Sequence, residues 1–236
     1  MTTAALDRAI TAQVTFWKQQ KETIEAPDTK SHRPFITISR EFGCCGFELA
    51  QKIVEIMNKE YKPEPPWAAY DRVLIEKLTD DTGLSASLVE TLTGNARNTL
   101  TNLFQTTFSK FPPQVAVYRR MSETIAMLAA NGNSVIVGRG GNLITRNVEG
   151  GFHVRIVAPL RWRADNMAEK MNMSKSAALK EIDEKEKERA SFFREFLKHE
   201  LSDPLNYHLL INNFHYTTEE AARLIIAGMK EKGYLK

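Results

Sequence analysis

Cysteine is almost missing from this chain: two in 236 residues, side by side at Cys44 and Cys45. Adjacent cysteines rarely bridge without strain, and no Cys-x-x-C spacing offers a metal site. A disulfide-stapled scaffold is excluded, and a cytoplasmic protein with free thiols is expected. No apolar run of ~18 residues is available to cross a bilayer, so no membrane partner is expected. The N-terminus is amphipathic instead of a basic region followed by an apolar core, so no secretory signal is expected. Charge of one sign is also scarce. The net value is +3, from 32 basic and 29 acidic residues, too little to argue for nucleic acid. Repeats and low-complexity segments are absent. What remains, 42% apolar and 26% charged residues, is an ordinary globular chain long enough for one full core.

The most informative stretch present is Phe35–Ala50, FITISREFGCCGFELA. It reads as an apolar strand, a glycine-containing loop and a helix with Leu49, Ile53, Ile56 and Met57 on one face. A strand, a loop and a helix N-terminus in that order form a phosphate cradle, because backbone N–H groups converge where the helix dipole favours an anion. Two residues of the usual P-loop are missing. The consensus G-x-x-x-x-G-K-[ST] places a lysine on the β/γ-phosphates and a hydroxyl on Mg²⁺. On that frame Arg40 falls at the first glycine, Cys45 at the second and Gly46 at the lysine.

Along the chain, residues 1–30 read as an amphipathic helix and linker, with Leu6, Ile10, Val14, Trp17 and Ile24 on one face. Such a helix packs across the domain or serves as the arm of a homodimer. Residues 31–236 then alternate strand and helix. Strands are expected at Phe35–Ser39, Trp67–Tyr70, Ser134–Val137, His153–Ala158 and Tyr207–Ile211. Helices are expected at Gly46–Lys59, after Asp71, at Val115–Ala130, twice within 160–200, and after Thr217. Ser174 caps one helix, and Ser87-x-x-Glu90 and Thr217-x-x-Glu220 are capping boxes. Residues 80–112 carry no strand pattern and read as a helical insertion. The alternation implies a parallel five-stranded sheet sandwiched by helices. Ligands of such sheets bind beyond the C-terminal strand ends, where Ser39-Arg40, Tyr70-Asp71-Arg72 and Gly138-Arg139 all fall.

Taken together these motifs resemble the cytidylate kinase-like family of P-loop nucleoside monophosphate kinases. The resemblance runs through Ile38-Ser39-Arg40-Glu41-Phe42-Gly43-Cys44-Cys45-Gly46-Phe47-Glu48-Leu49-Ala50, Tyr70-Asp71-Arg72 and Gly138-Arg139-Gly140. It continues through Ala158-Pro159-Leu160-Arg161-Trp162-Arg163, Asp183 with Glu188-Arg189-Ala190, and Asp203-Pro204-Leu205-Asn206-Tyr207. It covers roughly residues 34–228. It implies a P-loop NTPase-like fold with a substrate-binding insertion at 80–112 and an arginine-bearing lid at 160–200. It further implies a transferase: ATP with Mg²⁺ donates phosphate to a nucleoside monophosphate, cytidylate by the family name. This chain departs from the family pattern at Cys44, Cys45 and Phe47, where serine, glycine and a basic residue are usual. The turn reads G-R-D in cytidylate kinases, and Gly140 replaces the acid here.

The site expected from these readings is nucleotide-binding. Ser39, Arg40, Gly43, Cys44, Cys45, Gly46, Phe47 and Glu48 form the phosphate loop. Arg139, Arg161, Arg163 and Asp71 are the catalytic candidates, Arg72 and Arg139 hold substrate, and Asp183 and Arg189 belong to the lid. No protein-held metal cluster is expected. Guanidinium forks suit the task because phosphoryl transfer needs alignment and charge neutralisation. Each residue also has an ordinary explanation. Arg40 could pair with Glu41 or Glu48, Asp71 could cap a helix, and Glu48 could complement a helix dipole. Arg161 and Arg163 could serve solubility, and Asp183→Lys187 is a plain i,i+4 pair. Loss of the loop lysine leaves a non-catalytic nucleotide-sensing module as a second reading. The vicinal thiols, expected to ionise easily beside a helix N-terminus and arginines, leave a redox switch as a third.

Overall fold

The computed structural model of the chain describes residues 33–80, 116–194 and 199–235. The expected N-terminal helix at 1–30, with its dimer role, lies outside the described residues. So do the capping box at Ser87 and all but the first residue of the 80–112 insertion.

Five strands form one parallel sheet: β1 (Phe35–Arg40), β2 (Ala68–Tyr70), β3 (Ser134–Val137), β4 (Gly151–Val157) and β5 (Leu209–Asn212), in the order β2-β3-β1-β4-β5. β1 is central because it is the most completely apolar and β-branched run, and a strand paired on both sides is buried on both faces. Its residues 35–39 are all buried. The register sets what each face carries. Ile36 pairs with Val135 and Phe152, and Ile38 with Val137 and Val154. Ile36 and Ile38 belong to a core shared with α1 (Gly46–Glu60) and α7 (Thr218–Glu231), which contribute Leu49, Ile53, Met57, Ile225 and Met229. Phe35, Tyr70 and Ile136 belong to a second core, under α2 (Arg72–Asp80) and α3 (Ala116–Asn131). The architecture is therefore a helix–sheet–helix sandwich with all strands parallel, consistent with the P-loop NTPase-like fold expected.

The remaining helices are α4 (Gly141–Ile144), α5 (Leu160–Met171) and α6 (Lys175–Phe192). α5 and α6 hold a small core of their own from Ala164, Met167, Ala178 and Ile182. Ser174 caps α6 by accepting from the Ala177 amide, and Thr217 and Glu220 form a reciprocal capping box on α7. Most boundaries differ from the sequence reading by one residue, and two strand starts differ by two. β4 begins at Gly151, two residues before His153, because Phe35 N–H bonds the Gly150 carbonyl and extends the pairing. β5 begins at Leu209 because Pro204–Asn206 forms a 3₁₀ turn that delays the strand. The single-turn α4 was not expected; its glycine-rich start hid it.

Polar groups sit under β1 and β4. His153 is buried, its Nδ1 2.8 Å from Thr37 Oγ1, and its amide donates to His208 Nδ1 at 2.9 Å. Burial, helped by His208, pushes the His153 pKa down to about 4 from 6.5. A histidine held neutral in the fold contributes stability that is complete above pH 6.5. That stability is lost as pH falls from 6.5 toward 4, since the unfolded chain binds the proton first. Unfolding free energy should therefore drop by about 2–3 kcal/mol from this group alone between pH 7.5 and pH 4. Urea titrations across that range should show the slope flatten in His153→Gln, and an unchanged slope would contradict this placement.

Candidate functional site

The loop after β1 is fixed at its start, where Glu41 is held twice by the end of β4 and the residue that follows it. Glu41 N–H donates to the Ile156 carbonyl at 3.0 Å, and the Glu41 carboxylate accepts from the Ala158 amide at 3.0 Å. Gly43 has φ +91°, and a Cβ there would lie 3.0 Å from the carbonyl oxygen of Arg163. Only glycine satisfies both conditions. Cys45 takes a left-handed conformation, φ 53°, as the residue before α1, with no side-chain cap. The amides of Gly46 and Phe47 begin the helix and have no hydrogen-bond partner among the described residues. They are unsatisfied donors at the positive end of a dipole.

The two thiols diverge. Cys44 is buried, and burial together with Glu41 pushes its pKa up to about 12. The expectation of an easily ionised thiol fails for Cys44, because its side chain faces the core and not the helix terminus. Cys45 is half-buried, and its Sγ receives Lys170 Nζ at 3.0 Å. Lys170 also binds Glu48. Burial opposes ionisation of Glu48, yet the Lys170 ammonium and a backbone N–H hold its carboxyl below the usual range.

Beside the loop lies a cavity of about 450 Å³. Its walls come from the ends of β1 and β3, from α2, and from α6 above. Among the described residues, Arg40, Arg72, Arg139, Lys185 and Arg189 line it against one acid, Glu188, which is engaged by Lys185 at 3.0 Å. Gly43–Glu48 do not line it; the side chain of Arg40 lies between. No guanidinium N–H of Arg40 hydrogen-bonds a described residue. Burial, then the charges of Arg189 and Arg139, push the Arg40 pKa down to about 10, with Asp71 and Cys44 opposing. Arg139 adopts φ 54° between Gly138 and Gly140, an uncommon conformation for a side-chain-bearing residue. Its carbonyl accepts from Tyr118 Oη at 3.1 Å, and its Nη2 meets Glu76 at 2.6 Å. Glu76 also takes Arg72 Nε at 2.9 Å. Arg189 reaches down from α6, donates to the Arg40 carbonyl at 3.3 Å and lies over the Phe42 ring at 5.0 Å. Burial lowers the pKa of Arg139 and of Arg189. Charges so desolvated call for an anion.

Ser39 also borders the cavity. Arg155, buried in β4, donates to its Oγ at 3.4 Å, and Tyr207 Oη lies 3.2 Å away. The single phenol proton of Tyr207 is engaged by the Leu201 carbonyl at 2.8 Å. Ser39 therefore donates to Tyr207 and keeps acceptor capacity toward the cavity.

Four expected site residues lie elsewhere. Arg161 is exposed at the start of α5. Arg163 is buried and serves as a strut: Nε donates to the Ala158 carbonyl at 3.0 Å, and Nη1 to the Phe42 carbonyl at 3.1 Å and to Glu186 at 2.6 Å. Asp71 caps α2 by accepting from the Leu74 amide at 3.0 Å. Asp183 points outward and pairs with Lys187 at 2.6 Å. Sequence reasoning missed Lys185, Glu76, Phe42 and Asn142. Lys185 was legible in principle, since it stands four residues before Arg189 on one helix face. Asn142 is buried in the cavity wall, its Nδ2 without a partner. No pattern in the sequence marked it.

A sequence model described as the cytidylate kinase-like family matches residues 35–215. No curated protein matches the chain. Among solved structures, the chain is similar to an uncharacterized protein from Eubacterium ventriosum at 18% identity and a TM-score of 0.64. The match covers 84% of this chain and 99% of that one. At that identity the likeness bears on fold alone.

Two measurements check the placements. Arg163→Ala should lower unfolding free energy by about 3 kcal/mol, because it strands Glu41 and Glu186. Arg161→Ala should stay within about 0.5 kcal/mol, and equal effects in urea titrations would refute the distinction. Maleimide on the folded protein should label one thiol, with mass spectrometry locating it at Cys45. Labelling at Cys44 would show that its buried position is wrong.

Proposed function

The chain belongs to the cytidylate kinase-like family, and on that premise we propose that it transfers a phosphoryl group from a nucleoside triphosphate to a nucleoside monophosphate in the arginine-lined cavity. The observation that carries this reading is the guanidinium of Arg40, desolvated, beside Arg139 and Arg189, with its donors unengaged. Phosphoryl transfer asks little covalent work of the protein and much charge neutralisation. A triphosphate would meet the free amides of Gly46 and Phe47. The monophosphate would lie on the cavity side with Arg72 and Arg139. Arg40 would stand between the two, and Arg189 would cover the transferring group from the lid.

ATP is the donor, and cytidylate the acceptor, that the family description favours. Mg²⁺ is implied by the same description. The described carboxylates around the cavity are each engaged by a cation or an amide, as with Glu188, Glu76, Glu48 and Asp71. No group of three or more metal-ligating side chains occurs among the described residues. Mg²⁺ would therefore enter held by the phosphates of the nucleotide, whose charge it would help neutralise. Residues 80–112, the proposed substrate-binding insertion, would select the base. Among the described residues no helix is long and apolar enough to cross a membrane, compatible with the cytoplasmic chemistry proposed.

The engagement of every nearby carboxylate also favours a second reading, nucleotide binding without turnover. Redox control through both thiols loses support from the burial of Cys44. A coupled ADP-release assay with ATP, Mg²⁺ and each nucleoside monophosphate separates the first two readings. Turnover with cytidylate is expected. Arg139→Ala should lower kcat/KM by ~100-fold, as removal of an anion-stabilising donor does, while the exposed Arg194→Ala should do far less. Equal losses would point to folding damage, and binding without any turnover would favour the sensing module.

A further inference from the structure

Resting on the kinase reading above, we propose that Arg40 supplies from the end of β1 the charge that a lysine at position 46 would supply in a consensus phosphate loop. The geometry is a side chain threaded between two glycines. A Cβ built on Gly46 would fall 3.2 Å from Arg40 Cγ and 3.3 Å from Cδ. A Cβ built on Gly138 would fall 1.8 Å from Nη1 and 2.9 Å from Cζ. The stem of Arg40 thus lies where a residue-46 side chain would emerge, and its head lies against the end of β3.

Gly46 is then more than a lost lysine: it makes the room that the arginine stem occupies. Gly138, at φ +84°, makes the room for the head. A purely structural arginine in such a position would engage carbonyls or carboxylates, as Arg163 does from α5 against the same loop. Arg40 engages none among the described residues. Its donors face the cavity, beside a helix terminus whose first amides are also free. A guanidinium here can bridge two phosphate groups bidentately, which an ammonium cannot.

The test is a charge transplant. ATP affinity is measured by calorimetry, and ADP release by the coupled assay, in wild type, Arg40→Ala, Arg40→Ala/Gly46→Lys and Arg40→Ala/Gly46→Gln. Arg40→Ala should weaken ATP binding by at least ~10-fold, the scale of a lost charge-assisted hydrogen bond. The lysine double variant should recover most of that loss and the glutamine double variant should not. If thermal melts show that the lysine variant fails to fold, guanidinium ion added to Arg40→Ala gives the second readout, with recovery of binding expected. An unweakened Arg40→Ala, recovery by glutamine as good as by lysine, or no recovery by folded lysine variant or added guanidinium would each overturn the proposal. A wild type that binds no nucleoside triphosphate would instead overturn the kinase reading, and the transplant with it.

Discussion

Of the four guanidinium groups that line one cavity, those of Arg40, Arg139 and Arg189 are the desolvated ones, and the arrangement of the rest follows from keeping them there without a full complement of counter-charge. Like charges ~6 Å apart repel by about 3 kcal/mol at an effective dielectric of ~20. Such repulsion is sustained only if the backbone that carries each arginine is held independently. Arg40 ends a strand paired on both sides. Arg139 sits in a left-handed turn pinned by Tyr118. Arg189 rides on a capped helix that Arg163 clamps through Glu186, three residues before it. The folding energy that holds these elements comes from the two apolar cores on either face of the sheet. The cavity has charge to offer because those cores lie away from it.

Much of this was legible from residue order. The β-branched run before a glycine loop and an amphipathic helix identified β1 and α1. The capping residues Ser174 and Thr217 fixed two further helix starts. Arg40, Arg139 and Arg189 were named from strand ends and motif, and all three border the cavity.

Other assignments depended on facts that sequence position does not carry. Arg161 and Arg163 follow the same strand, but two positions along a helix turn a side chain by about 200°. One therefore faces solvent and the other the interior. Glu41 and Glu186, distant in sequence, together with the Ala158 and Phe42 carbonyls make the interior position tenable. Cys44 and Cys45 are neighbours for which the same divergence arises from a left-handed residue. Asp71 carries two chemistries, capping and catalysis, that look alike in a sequence. The amide of Leu74 takes its carboxylate. Asn142 belongs to a helical turn too short to leave a periodic trace.

The threading of Arg40 between Gly46 and Gly138 has a consequence for descent. Two loop chemistries, one with a lysine on the helix and one with an arginine on the strand, crowd each other. A single substitution that adds the lysine to the arginine form would set both side chains in contention for one volume. It would have to pass through a loop with two crowded cations or with none. The two solutions are therefore neighbours in sequence but separated in fitness. Once established, the arginine form would persist by historical contingency, with the glycines as the visible mark of the path taken.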